Sequence, residues 1–327
     1  MKFILRAFFA LLVSLACLSC DNGKSSAYKG HGGPDKGHGL RVVTTLYPLY
    51  DFARAIGGDR VEVTLLLPPG MEAHSFEPKP ADIVRVNGAD LFVYTNPNME
   101  PWADDIIAGI DKGRTLVVDA SVGARMLKAG KDSGHGHGNG GRRHDGHRQG
   151  EGMDPHLWLD FGNARIMVDN MLAGFVARDP RNSQFYTANA EAYKAKLTEL
   201  DNRYRSGLAA CGKRSFLHGG HFAFGYLANR YGLHYESAYA VGADAEPSPA
   251  KIAGLISRIR ASGLRYIYTE ELVEPRVADV IARETGAGIL KLHGAHNISR
   301  DELAAGATFL SLMEANLNNL KIGLECR

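Results

Sequence analysis

Short β-branched runs alternate with stretches of helical period along most of the chain. Runs at 42–45, 61–67, 91–95 and 116–118 make a first set of four, and runs at 215–218, 234–240, 266–269 and 289–292 make a second. Amphipathic segments such as 80–87, 249–261 and 275–285 separate them, which is the pattern of βα units around a parallel sheet. Between the sets, Tyr186, Ala190, Tyr193, Leu197, Leu200 and Tyr204 recur at three- and four-residue spacing with no Gly or Pro before Gly207. The pattern predicts an α/β protein of two similar lobes, residues 40–182 and 209–327, each with a roughly four-stranded parallel sheet flanked by helices. One long helix over 183–208 is expected to join them as a strut, although the same periodicity suits a helix packed into a single lobe.

The N-terminus adds a compartment. Lys2 and Arg6 precede an apolar run at 7–18 that is too short to span a bilayer and fits the core of a signal peptide over 1–19. Cys17-Leu18-Ser19-Cys20 resembles the lipobox of bacterial lipoproteins, with Cys20 the expected lipid-bearing first mature residue. Cleavage before Cys17 and a signal peptide without lipid are the alternatives. Residues 20–39 are rich in Gly, Lys and Ser and read as a flexible tether, so the body is expected outside the cytoplasm, in the periplasm or at the cell surface, held to the membrane by its lipid. The body retains only Cys211 and Cys326; in an oxidising compartment these either pair or remain two separate buried thiols. With 45% hydrophobic and 23% charged residues the composition is globular, and a formal charge of +2 argues against a nucleic-acid surface.

Histidine placement carries the chemistry. Pro69-Gly70-Met71-Glu72-Ala73-His74, Met153-Asp154-Pro155-His156, His218-Gly219-Gly220-His221 and His293-Gly294-Ala295-His296 all fall at or after the carboxyl ends of expected strands, where doubly wound sheets bind their ligands. Imidazoles drawn from both halves of a chain describe a metal site closed by the fold, in the cleft between the lobes. A glycine-histidine tract over 133–152, with His135, His137, His144 and His147, has little to bury and reads as a mobile loop. Weak metal capture toward the cleft and a tolerated solvated insertion are both open to it.

These residues also carry a resemblance. Pro69-Gly70 with Glu72 and His74, Asp154-Pro155-His156-Leu157-Trp158, His221-Phe222-Ala223-Phe224-Gly225-Tyr226, Ala245-Glu246-Pro247-Ser248 and Glu284-Thr285-Gly286 occur in an order similar to the solute-binding proteins of bacterial zinc and manganese ABC importers. The resemblance implies a monomeric receptor that captures a metal ion between its lobes and delivers it to a membrane permease with its ATPase. It implies His74, His156 and His221 as ligands, with His218 structural or behind the ligands. The position where the family commonly has aspartate aligns with His293, and His296 lies three residues on. The fourth ligand is therefore open between His293, His296, Glu72 and water. A nitrogen-rich tetrahedral set favours Zn²⁺, with Mn²⁺ the alternative because it prefers carboxylate and water oxygen. No His-Glu-x-x-His or Gly-x-Ser-x-Gly pattern supports a zinc hydrolase. A surface adhesin or metal-storage lipoprotein on the same fold would use the same site. The expectation is a binding protein without catalysis.

Overall fold

The structure is a computed structural model that describes residues 39–129, 152–241, 246–272 and 275–327. The expected signal segment, its cysteines, nearly all of the tether and the glycine-histidine tract up to residue 151 lie outside the described residues. In chain order the elements are β1 (Leu40–Thr44), α1 (Tyr47–Gly57), β2 (Val61–Leu65), α2 (Pro80–Asn87), β3 (Leu91–Tyr94), α3 (Ala103–Gly109), β4 (Leu116–Asp119), α4 (Phe161–Arg178), α5 (Ser183–Ala209), β5 (Ser215–His218), α6 (Gly225–Tyr231), β6 (His234–Ser237), α7 (Pro249–Ser262), β7 (Tyr266–Thr269), α8 (Arg276–Thr285), β8 (Gly288–Lys291), α9 (Arg300–Ala304) and α10 (Phe309–Gly323).

Two four-stranded sheets form, ordered β2-β1-β3-β4 and β6-β5-β7-β8, and every pairing is parallel. The two orders are the same once the strands are renumbered within each sheet, so the expectation of two similar lobes is met. In each sheet the chain leaves the first strand to one side and returns to the other, which opens a crevice beyond its carboxyl end. Helix starts follow local chemistry. Pro48, Pro80 and Pro249 sit in the first turn of α1, α2 and α7, and Asp160 caps α4 by accepting from the amides of Gly162 and Asn163.

Helix α5 turns its apolar stripe inward: Tyr186, Ala190, Tyr193, Leu197, Leu200, Tyr204 and Leu208 are all buried. It packs on α1 and α4 of the first lobe and on α6 and α10 toward the second, so it bridges the lobes. Asp51 of α1 helps hold this junction, because its carboxylate accepts both from Tyr193 Oη at 2.9 Å and from the Phe309 amide at 3.1 Å. Asp201 of α5 is paired with Arg230 of α6 at 2.8 Å and accepts from Tyr231 Oη. One apolar core runs through the first sheet, α4 and α5 into α6 and α10, and a smaller one lies beneath α7 and α8. Cys211 and Cys326 form a disulfide that closes 115 residues and fastens the C-terminal segment just beyond the end of α5. Among the described residues no helix is long and apolar enough to cross a membrane.

Candidate metal centre

Four imidazoles meet between the lobes. His74 comes from the irregular segment between β2 and α2, His156 from the segment leading into α4, His221 from the turn after β5, and His296 from the loop after β8. One ring nitrogen of each lies within 4.8 Å of the other three, and among the described residues no other histidine joins them. His156 and His74 bring their Nε2 atoms to 3.3 Å, and His221 and His296 bring theirs to 3.2 Å. A tetrahedral zinc with bonds of about 2.0–2.1 Å separates its ligand atoms by about 3.3–3.4 Å, so these two edges are already near that size.

The other ring nitrogen fixes how each imidazole presents itself. His156 Nδ1 donates to Asp154 Oδ1 at 2.7 Å, and His221 Nδ1 donates to Glu270 Oε2. His296 Nδ1 lies 3.5 Å from Glu271 Oε1. A proton held on Nδ1 by a carboxylate leaves the Nε2 lone pair free to bind, and here those lone pairs point at one another. Among the described residues His74 has no such carboxylate, and it is the one member of the four that is not fully buried.

Burial and crowding set the protonation states. Burial, reinforced by the neighbouring histidines, holds His74 and His156 well below the usual imidazole range, so both are neutral and ready to donate a lone pair. Burial also pushes Asp154 up to about 7, so its short contact with His156 is a hydrogen bond to a neutral ring rather than a fixed ion pair. His221 behaves differently: burial works against its charge, but the Glu270 carboxylate outweighs burial and holds its pKa above the ordinary value. Glu271 is likewise kept ionised, because His293 and His296 outweigh its burial.

The remaining sequence candidates take other positions. His293 is buried, but its amide donates to Asn316 Oδ1 at 2.7 Å and its carbonyl accepts from Asn316 Nδ2 at 2.8 Å, which pins it toward α10. Its ring sits between Glu271 at 3.4 Å and Glu302 at 3.6 Å, away from the four converging rings. Glu72 turns back on its own loop and accepts from the Ser75 amide at 2.9 Å. It lines a pocket of about 200 Å³ that reaches His221 and His296 past Tyr239 and Glu246. His218 is fully buried against Phe224, with Nδ1 accepting from the Gly220 amide at 3.2 Å. It supports the turn that presents His221. At Gly220 a side chain would collide with the Glu270 carboxylate, which explains the glycine beside His221.

Sequence reasoning missed Glu270 and Glu271. Two successive carboxylates at the carboxyl end of β7, beside the central β5, were the available signal. It also missed the indole of Trp158, which donates to Gly294 O at 2.8 Å and ties the His156 segment to the His296 loop.

Two doubly wound lobes bridged by a long helix, with imidazoles converging between them, define a bilobed solute-binding protein. The profile of the family described as zinc-uptake complex component A, periplasmic (ZnuA) matches residues 42–323, and the chain belongs to that family. It is 35% identical to the high-affinity zinc uptake system protein ZnuA of Bacillus subtilis (strain 168), over 98% of this chain and 96% of the relative. The Zn(II)-bound ZnuA-like domain of Streptococcus pneumoniae AdcA superposes with a TM-score of 0.73 at 30% identity, covering 88% of this chain and 99% of that one. The laminin-binding protein Lmb of Streptococcus agalactiae, described as bifunctional with adhesin and metal-transporting activity, gives 0.75 at 28% identity, covering 88% and 100%.

Proposed function

We propose that this chain is the extracytoplasmic receptor of a zinc ABC importer, that it takes one Zn²⁺ as cargo between its lobes, and that His74, His156, His221 and His296 are the ligands. The observation that carries the ligand assignment is the convergence of four imidazole nitrogens within 4.8 Å, three of them backed by buried carboxylates. Membership of the zinc-uptake family and likeness to zinc-named relatives support the cargo. An all-nitrogen set suits Zn²⁺, whereas Mn²⁺ favours carboxylate and water oxygen, so the manganese alternative is not favoured.

The receptor acts by binding and handing over rather than by catalysis. Four imidazoles satisfy a tetrahedral ion and leave no open position at which a substrate would be activated, which is what a hydrolytic zinc requires. The chain works as a monomer that docks on a permease served by an ATPase, and a lipid at Cys20 or Cys17 keeps it near that partner. Because α5 spans both lobes, loading changes loops around the site more than the angle between lobes, and scattering profiles of metal-free and loaded protein should nearly coincide.

The test is competitive zinc and manganese affinity of chelator-stripped protein, compared with His296→Ala and His293→Ala. One tight zinc equivalent, weakened about a hundredfold or more by His296→Ala and less than about fivefold by His293→Ala, is expected. The reverse order would transfer the fourth ligand to His293, and preferential manganese binding would overturn the cargo.

A further inference from the structure

His74 reaches the cluster from residues 66–79, which contain no helix or strand, and among the described residues no carboxylate orients its ring. Its position must therefore be set by the backbone of its own loop. One buried side chain of the opposite lobe, Asn297, grips that loop. Asn297, next to His296 and only 1% exposed, donates through Nδ2 to Pro68 O at 2.7 Å and to Met71 O at 2.8 Å. Its Oδ1 accepts from the Ile298 amide at 2.8 Å, and Ile298 O accepts in turn from the Gly70 amide at 2.9 Å. The side chain spends both amide hydrogens on one loop while its oxygen fixes its own. The loops of His74 and His296 are thereby joined by the Asn297 side chain and by the adjacent backbone bond from Gly70 to Ile298.

We infer that Asn297 is a positioning residue for zinc retention: it latches the His74 loop to the His296 loop, so that His74 stays in place behind a bound ion. The inference rests on the zinc-receptor reading above. Asparagine is required because the position needs two donors toward carbonyls and one acceptor. Asn297→Asp keeps the shape and turns a carboxylate against two carbonyl oxygens, and Asn297→Ala removes both side-chain donors, leaving Pro68 O with only the Met71 amide.

Three measurements test the latch. Zinc transfer from loaded protein to excess chelator should be at least roughly tenfold faster in both variants, the scale expected for two lost hydrogen bonds. Amide hydrogen exchange of the metal-free variants should rise by a similar factor at Gly70, Met71 and Phe76 while the amides of β5 stay protected. In a His74→Ala background, Asn297→Ala should no longer accelerate zinc loss, because its effect runs through His74. Unchanged transfer rates, an effect that persists without His74, or exchange raised throughout the molecule would each overturn the inference. If the wild-type chain takes up no tight zinc, the receptor reading fails, and exchange in the metal-free protein decides the latch alone.

Discussion

Replacing Glu270 with glutamine tests whether the buried carboxylates tune the metal centre or only fill space. Glu270 uses both oxygens on His221: Oε2 takes its Nδ1 proton and Oε1 accepts from its amide at 3.2 Å. Glutamine keeps the volume but offers a single acceptor oxygen, so one of these donors must face an amide NH₂. Loss of such a carboxylate behind a metal-bound histidine typically weakens affinity by about 10- to 100-fold, or about 1.4–2.7 kcal/mol. The change also has a sign in pH. In the metal-free protein Glu270 outweighs burial and holds His221 above its ordinary pKa, so zinc must displace a proton from it over part of the neutral range. Wild-type affinity should therefore fall as pH drops through that raised pKa, by about tenfold per unit for each proton displaced. In Glu270→Gln the strongest opposition to burial is gone, with only the smaller pull of Glu271 and Glu72 remaining, and His221 is neutral to lower pH. Competition against a chromophoric chelator from about pH 7.5 to about pH 5.5 should show a variant weaker at the alkaline end, with a shallower slope, approaching wild type on acidification. Two parallel profiles, or equal affinities at the alkaline end, would refute the assignment of Glu270 as the group that orients and charges His221.

Other parts of the molecule give independent checks. Burial pushes the Glu100 carboxyl from 4.5 up to about 7, despite donors from Thr45, Thr95 and Asn96. The folded state then holds a proton that the unfolded chain has released, so stability should decline as pH rises from about 4.5 to about 7, by at most about 3 kcal/mol. Urea midpoints of the metal-free protein measure this slope, and Glu100→Gln should flatten it. Cys326→Ser opens a loop of 115 residues and should lower stability by about 2–5 kcal/mol without altering zinc stoichiometry, read by denaturant unfolding and titration. Deleting residues 133–150, which lie outside the described residues, should leave one tight zinc site in an equilibrium titration, and loss of that site would overturn the four-histidine assignment.

The strands were legible because a parallel sheet buries both faces of a strand, and short β-branched runs mark that environment wherever they occur. The differences are at the ends. The run at 234–240 gives a strand only to Ser237; one further ladder bond joins the Ala238 amide to His218 O, and then Tyr239 follows Gly220 O and lines the site. Helix α5 was legible residue by residue, since all six positions of its expected stripe are buried. The buried Asp201 on that helix broke the pattern, and its reason is tertiary: Arg230 and Tyr231 arrive from α6. The fourth member of the cluster was not legible. His293 and His296 lie in a loop where Ala295 takes a positive φ of 59°, so neither the helical nor the strand period says which ring turns inward. Asn316 from α10 and Glu302 from α9 draw His293 aside, and both partners are more than five residues away in sequence. Glu270 and Glu271 were hidden for the same reason. Their chemistry is ordinary in sequence and becomes specific only when β5 and β7 lie side by side.

The placement of charge explains how a neutral ligand set would hold a dication. Four imidazoles bring no charge to the metal, but Asp154, Glu270 and Glu271 stand one hydrogen bond or a short ionic distance behind three of them. In the metal-free protein this outer ring is satisfied by protons: Asp154 is pushed up to about 7, and His221 is held above its usual value. Zinc binding would replace those protons with a charge at the centre, so capture is coupled to proton loss and release to proton uptake. Because the compensating carboxylates contact the imidazoles rather than the centre of the cluster, a bound metal would see nitrogen only, which favours zinc over manganese. The carboxylates set how readily each nitrogen gives up its proton. His74 lies outside this arrangement, with no carboxylate of its own and a position that depends on its loop, so the first bond to break as zinc leaves should be the one to His74.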